Sequence, residues 1–381
     1  MNGFRIFHSA ACTAITATLF GLALAACSND SSSGASEPEI SQIKECVAPA
    51  FLKKGDKIAL LSPSYHTPDS NVENTAKVLE DWGFKPVVGK HVGTIYAGKY
   101  AGTADERAED FIDALKDTSI KAILTNRGGY GAIHLVDRVD LKTVRDNPKW
   151  LIGFSDISTL HAMETKAGVM SIHGTMSSFI GKTGGEDDNS IYMRDLLLGK
   201  VPKYKVPANK LNIKGKAKGV LVGGNMATFV PLAGSPVDVY SEDGIILFLE
   251  ELEETMRNLD RMFSSLELRG VLDNVKGVVL GEFEECGTDL DFDSPEAMLI
   301  ERLKKYNIPV MAGFPAGHGD INLPIVMGAT VTLDVTKDGA TLAFDIDGGD
   351  EVDVDTDKLT TEKPMPKALR KMLSGKSFDL E

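Results

Sequence analysis

The stretch Trp150 to His161 reads W-L-I-G-F-S-D-I-S-T-L-H. Its apolar start reaches Gly153, and the residues after Ser155-Asp156 have the spacing of an amphipathic helix. A strand that turns sharply into a helix through a glycine lifts the serine Oγ out of the sheet. It also sets the next backbone N–H, that of Asp156, at the positive end of the helix. An exposed nucleophile beside an oxyanion donor is the start of acyl-transfer chemistry. The competing reading is that Ser155 only N-caps the helix. A serine nucleophile also needs an imidazole, and an acid to hold that imidazole's tautomer. His161 lies six residues further along the same helix, about 240° round at 100° per residue, and cannot turn back to the Oγ. His66, His91 and His134 sit where any surface histidine could, and His173 lies in an apolar strand that suits a core histidine. His318 is flanked by glycines in Pro315-Ala316-Gly317-His318-Gly319-Asp320, so a loop presents it. For the acid, the strand Ile245 to Leu249 runs into Glu250, with Glu251, Glu253 and Glu254 behind it. A carboxylate at a strand tip is held by the sheet, which selects Glu250 and leaves Glu253 as the alternative. A run of acids complementing a helix dipole is the other reading, and it explains Glu253 and Glu254 better than it explains Glu250.

The elements that must position these residues alternate strand and helix. Asp56 to Leu61, Pro86 to Val88 and Ala122 to Thr125 read as strands, and Val72 to Trp82 and Thr103 to Lys116 as helices. A further helix is expected around Ile133, Leu135 and Val136, and a last strand over Val169 to Met176. This alternation predicts an α/β fold whose N-terminal domain is a Rossmann- or flavodoxin-like parallel sheet, with sites at the carboxyl ends of its strands. A second glycine loop, Arg127 to Gly131, falls at such an end. It lacks the order of a phosphate-binding loop. Bare backbone there would supply a second oxyanion donor, Gly129 or alternatively Gly128, unless the glycines only make a tight turn. Arg127 is a weak candidate for meeting a substrate carboxylate. The order serine, acid, histidine is that of α/β-hydrolases, but Gly-Phe-Ser-Asp-Ile lacks their second glycine, which argues against that fold.

Six segments are expected. Residues 1–26 form a lipoprotein signal peptide, 27–50 a lipidated cysteine and flexible tether, and 51–183 the domain carrying the nucleophile. Residues 184–218 read as a lysine-rich irregular linker and 219–350 as a smaller, β-rich C-terminal domain carrying acid and base. Its strands open at Gly219 and continue over Ile245 to Leu249, Gly277 to Leu280, Pro309 to Met311 and Ala329 to Leu333. The aspartate-dense run Asp345 to Asp357 reads as a solvated loop, and 351–381 as an acidic, charged tail ending in a surface helix or disorder.

Within the first 26 residues Arg5 is the one formal charge, and an apolar run leads to Leu24-Ala25-Ala26-Cys27. That ending resembles a lipobox, with cleavage before Cys27 and acylation of its thiol. An ordinary signal peptide cleaved after Ala26 is the other reading. A serine-rich spacer follows, and Ser28 in place of Asp resembles the outer-membrane sorting pattern. The protein is thus expected to be exported and tied to a bacterial membrane, on the periplasmic side, through its lipid alone. Loss of Arg5 lowers Lys+Arg from 41 to 40 against 55 acids, a mature charge of about −15. That argues against nucleic acid and against an anionic membrane surface as partners. Cys46 and Cys286 remain, with no spacing that decides whether they pair. No Cys/His cluster has metal-site spacing, and neither metal nor cofactor is expected.

Seven stretches taken together resemble the LD-carboxypeptidase family of serine peptidases, which includes the microcin C immunity proteins. They are R-G-G-Y-G (127–131), G-F-S-D-I (153–157), V-G-G-N (222–225), F-L-E-E (248–251), L-D-R-M (259–262), G-V-V-L-G-E-F (277–283) and G-F-P-A-G-H (313–318). They run in the family's order from about Lys54 to Asp334. The resemblance implies a Ser155–His318–Glu250 triad, with oxyanion donors on the backbone of Asp156 and of the glycine pair. It implies an α/β domain, a smaller β-rich domain and a site in the cleft between them. It also implies hydrolysis of an L,D-amide, such as release of terminal D-Ala from a murein tetrapeptide, and a homodimer. An immunity-type hydrolase of a peptidyl-nucleotide amide and a non-catalytic binder of cell-wall peptides are the alternatives.

Overall fold

A computed structural model of the chain describes residues 46–240, 244–287 and 289–359. The signal segment, Cys27, the tether up to residue 45 and the tail beyond Leu359 lie outside them. Among the described residues no helix is long and apolar enough to cross a membrane.

Two sheets carry the fold. The first is built from β1 (Lys57–Leu61), β2 (Lys85–Val88), β3 (Ile120–Thr125), β4 (Trp150–Gly153) and β5 (Ser171–His173). These pair in parallel in the order β2-β1-β3-β4-β5, the flavodoxin-like arrangement. Helices α1 (Asp69–Asp81), α2 (Ala104–Lys116), α3 (Leu141–Asp146) and α4 (Ser158–Ala167) connect them, as a parallel sheet requires. The start of α2 is set by a capping box, in which the Thr103 hydroxyl accepts from the Glu106 N–H and the Glu106 carboxylate accepts from the Thr103 N–H. The expected helix around Ile133 is a single 3₁₀ turn, Ala132–Leu135.

After α5 (Ser177–Thr183) and α6 (Asp188–Leu197) the chain enters the second sheet. Its strands are β6 (Lys200–Pro207), β7 (Gly215–Asn225), β8 (Ile245–Leu252), β9 (Val275–Glu284) and β10 (Val310–Ala312). Next comes β11 (Ile325–Met327), then β12 (Thr330–Val335), β13 (Gly339–Asp345) and β14 (Asp350–Asp355). The mixed order is β10-β9-β8-β7-β12-β13-β6-β14, and the strand left over, β11, returns to the first sheet and pairs antiparallel with β5.

Two stretches differ from the expectation. Residues 184–218 are not an irregular linker: they hold α6, β6 and the start of β7. In β6 Val201, Tyr204 and Val206 are buried, while Lys205 faces water. Nor is Asp345 to Asp357 a solvated loop, because β14 lies parallel to β6. The charge of each strand answers the other, with Lys203 3.1 Å from Glu351 and Lys205 2.7 Å from Asp353. Exposed pairs of this kind add little stability singly. In register along a strand pair, however, they match unlike charges where like ones would repel.

Candidate active site

Ser155 stands where β4 breaks off. Its φ is +64°, a left-handed conformation that is rare for a residue with a side chain. The turn is tight because a Cβ on Gly153 would fall 2.3 Å from Thr125 Oγ1, so only glycine fits beneath it. A short 3₁₀ turn, Ser155–Ile157, leads into α4, and its N-cap position belongs to Phe154. The capping reading of Ser155 is therefore replaced by an elbow that carries strain at the serine.

The neighbouring glycine loop is tied to this elbow by the Asp156 side chain. Its Oδ2 accepts from the Ala132 N–H at 2.8 Å and from Ser64 Oγ at 2.6 Å. Burial raises the Asp156 carboxyl above its ordinary value, against the pull of those two bonds. Gly128 packs directly on the serine: a Cβ there would lie 3.2 Å from Ser155 Oγ and 3.4 Å from Asp156 N. Gly129 has φ +108°, and a Cβ on it would meet the Tyr65 ring at 2.3 Å. Gly129 lines the cleft with Ser155 and Asp156. Arg127 is not among the residues lining the cleft; it is mostly buried, with its guanidinium 5.7 Å from the Tyr65 ring centre.

The second sheet supplies the other half. Glu250 and His318 are both fully buried, and Glu250 Oε2 lies 2.7 Å from His318 Nδ1. Burial disfavours charge on the imidazole, yet the Glu250 carboxylate outweighs it and leaves the His318 pKa raised. Among the described residues His318 Nε2 has no hydrogen-bond partner, and the histidine lines the same cleft as Ser155. The cleft holds about 360 Å³. Gly317 must be glycine, since its φ is +133° and a Cβ would meet Glu250 Oε2 at 2.9 Å. The Asn322 side chain steadies this loop by accepting from the Gly317 N–H at 3.1 Å.

Glu253 is not at the site. It sits in a left-handed turn after β8, and its N–H donates to Glu284 O. Two functional candidates were missed by sequence reasoning, Asn225 and Glu251, which line the cleft and bond to each other. Strand β8 runs on to Leu252, so Glu251 belongs to the sheet just as Glu250 does. The motifs V-G-G-N and F-L-E-E held the signal. Among the other histidines, His161 is spent on structure, with Nε2 2.8 Å from Gly153 O and Nδ1 2.8 Å from Ser171 Oγ. Among the described residues Cys46 and Cys286 are not bonded to each other, and both are free thiols.

Two family models match the chain, the LD-carboxypeptidase N-terminal domain over residues 58–174 and the LD-carboxypeptidase C-terminal domain over 218–333. The chain belongs to the LD-carboxypeptidase family. A Synechocystis protein bearing a carboxypeptidase name is 31% identical over 305 residues, covering 79% of this chain and 98% of its own. The murein tetrapeptide carboxypeptidase of Pseudomonas aeruginosa is 28% identical, over 73% of this chain and 93% of its own. Among solved structures, an MccF-like protein from Bacillus anthracis superposes with a TM-score of 0.70 at 26% identity, covering 78% of this chain and 99% of its own. The two-sheet α/β architecture is thus that of the family, and the chain is a peptidase of LD-carboxypeptidase type.

Proposed function

We propose that the protein is a serine carboxypeptidase that cuts an L,D-amide and releases terminal D-Ala from a murein tetrapeptide. The observation that carries this reading is the buried Glu250–His318 pair, 2.7 Å apart, with the far imidazole nitrogen unengaged on the cleft that holds the strained Ser155. His318 Nε2 takes the proton of Ser155 Oγ as the oxygen attacks the scissile carbonyl carbon. Glu250 holds the Nδ1–H tautomer and offsets the imidazolium charge. The oxyanion is met by the Asp156 N–H and the Gly129 N–H. Collapse expels the D-amino acid, whose amine takes the proton from His318. Water, activated in the same way, then frees Ser155 from the acyl-enzyme. The choice of murein rests on the name of the Pseudomonas relative. A second reading, the immunity-type hydrolysis of a peptidyl-nucleotide amide, draws on likeness to the microcin C7 self-immunity protein MccF of Escherichia coli, 28% identical.

Mass spectrometry of murein tetrapeptide incubated with the soluble protein from Ser28 onward, beside its Ser155→Ala variant, tests the reaction. Loss of one alanine with the wild type alone is the expected result. Turnover by the variant would refute the serine mechanism. An intact tetrapeptide together with a cleaved peptidyl-nucleotide would select the second reading. We further propose export and anchoring through Cys27, supported by the Leu24-Ala25-Ala26-Cys27 sequence. Radiolabelled palmitate should enter the full chain and be absent from Cys27→Ser; label retained in that variant would dismiss the anchor.

A further inference from the structure

We propose that Glu251 is a positioning residue that fixes the Asn225 side chain as a hydrogen-bond donor for the free carboxylate at the end of the substrate. The proposal rests on the carboxypeptidase reading above and names how its site would tell a chain end from a chain interior.

Asn225 closes β7 and caps α7 (Met226–Phe229). Its Oδ1 accepts from the Thr228 N–H at 3.2 Å and from Thr228 Oγ1 at 2.8 Å. Its Nδ2 donates to Glu251 Oε1 at 2.6 Å. Turning the amide over would set N–H against N–H at Thr228 and oxygen against carboxylate at Glu251, so one orientation is selected at both ends. An amide nitrogen carries two hydrogens. Glu251 takes one, and the other remains for the cleft that Asn225 lines.

Glu251 itself is spent on holding. It is 2% exposed, and besides Asn225 it accepts from the Ala227 N–H at 2.7 Å and the Leu252 N–H at 2.9 Å. Burial and the adjacent Glu250 push its carboxyl up to about 7, which suits a group kept for its hydrogen bonds and not for free charge. The same wall carries Glu254, so an anionic chain end entering the cleft meets acids. Arg127, the cation that the sequence suggests for this task, is not among the lining residues. Asn225 offers this cleft a neutral donor whose orientation is locked from both sides, where Tyr130 and Thr159 offer hydroxyls that no hydrogen bond among the described residues holds in one direction.

The test uses the Ser155→Ala protein and titration calorimetry with two probes, a murein tetrapeptide ending in the free acid and the same peptide ending in a carboxamide. The acid should bind at least tenfold more tightly. Adding Asn225→Ala should abolish that preference while leaving carboxamide affinity unchanged. Glu251→Ala should do the same, the double variant should be no worse than either, and Glu251→Gln should restore part of the preference because its Oε1 can still accept from Asn225. Thermal melts check each fold, and Glu251→Gln stands in if Glu251→Ala does not fold, its preference then falling below that of the parent. Equal binding of acid and carboxamide by the parent, preference retained in Glu251→Ala, full preference in a stand-in Glu251→Gln, or binding of neither probe would overturn the proposal. Acid preference without cleavage by the wild type would instead refute the reaction and leave this inference standing. Cleavage without acid preference would do the reverse.

Discussion

Gly128→Ala separates stability from chemistry at this site. Gly128 is not among the residues of positive φ, so its backbone accepts an alanine. Removing glycine's freedom from the unfolded chain favours folding by about 0.4–1 kcal/mol at compatible positions. Against this, the new methyl lies 3.1 Å from Ser155 Cβ, 3.2 Å from Ser155 Oγ and 3.4 Å from Asp156 N, contacts that need shifts of a few tenths of an ångström. The two effects nearly cancel, and the melting temperature should move by no more than a few degrees. Catalysis has no such slack. An oxyanion held at about 2.7–3.1 Å from the Asp156 N–H would occupy the space that the methyl fills. Loss of one oxyanion donor costs about 10²–10³ in kcat. We expect a fall of that size in kcat for tetrapeptide hydrolysis, with KM changed less than threefold. Stopped-time assays of D-Ala release, paired with a melt, measure both. A kcat within threefold of wild type at unchanged melting temperature would show that the oxyanion does not lie between Asp156 and the glycine loop.

Glu250→Gln should lower kcat/KM by two to four orders of magnitude, because the amide can present either end to His318 Nδ1 and no longer offsets the imidazolium. Burial would then be opposed on His318 only by the charges of Glu251 and Glu282, so the acidic limb of the pH–rate profile should move to lower pH; an unmoved limb with a threefold loss would remove Glu250 from the triad. Glu164, wholly buried on α4 with neither carboxyl oxygen hydrogen-bonded among the described residues, has its pKa raised well above the ordinary value by burial. A raised carboxyl contributes stability that is full below the unfolded value, near 4.5, and is lost as pH climbs through the folded one, about 1.4 kcal/mol for each unit of separation. Glu164→Gln should therefore melt with a flatter pH dependence than wild type between pH 5 and 8, and parallel curves would contradict a protonated Glu164.

Ser155, His318 and Glu250 were legible because each carries a local mark: glycine at a strand end, glycines on both sides, or an apolar run feeding a carboxylate. Asn225, after two glycines at a strand end, and Glu251, next to Glu250, carried comparable marks, but neither is a residue type that the nucleophile, base and acid pattern asks for. Consecutive strand residues ordinarily face opposite sides. The register of β8 against β9 slips between Leu249 and Glu251, and both glutamates end up buried near the cleft. Such an irregularity depends on the partner strand and leaves no trace in β8 alone. Strands β6 and β14 were hidden for a related reason. Their lysines and acids read as solvated until the two strands are placed side by side, where each supplies the other's counter-charge. The pairing of β11 with β5 joins residues about 150 apart in the chain, and no periodicity announces it.

That last pairing explains how two sheets can hold one reaction centre. His318 lies in the segment that leaves the second sheet at Ala312 and enters the first at Ile325. Its loop is therefore anchored at one end beside the strands that hold Glu250 and at the other beside the strand that follows the Ser155 helix. A second tie joins the halves directly. The Asn225 N–H donates to Ser158 Oγ at 3.1 Å, and Gly224 lies so close that a Cβ would come within 2.3 Å of that oxygen. Ser155, His318 and Glu250 consequently share one set of constraints, and a shift of either sheet would move the imidazole with it. Reacting groups held this way owe little reorganisation when substrate arrives. Gly224 lies far from the chemistry in role, but a larger residue there would separate β7 from the start of α4 and carry Ser155 away from His318 without touching either.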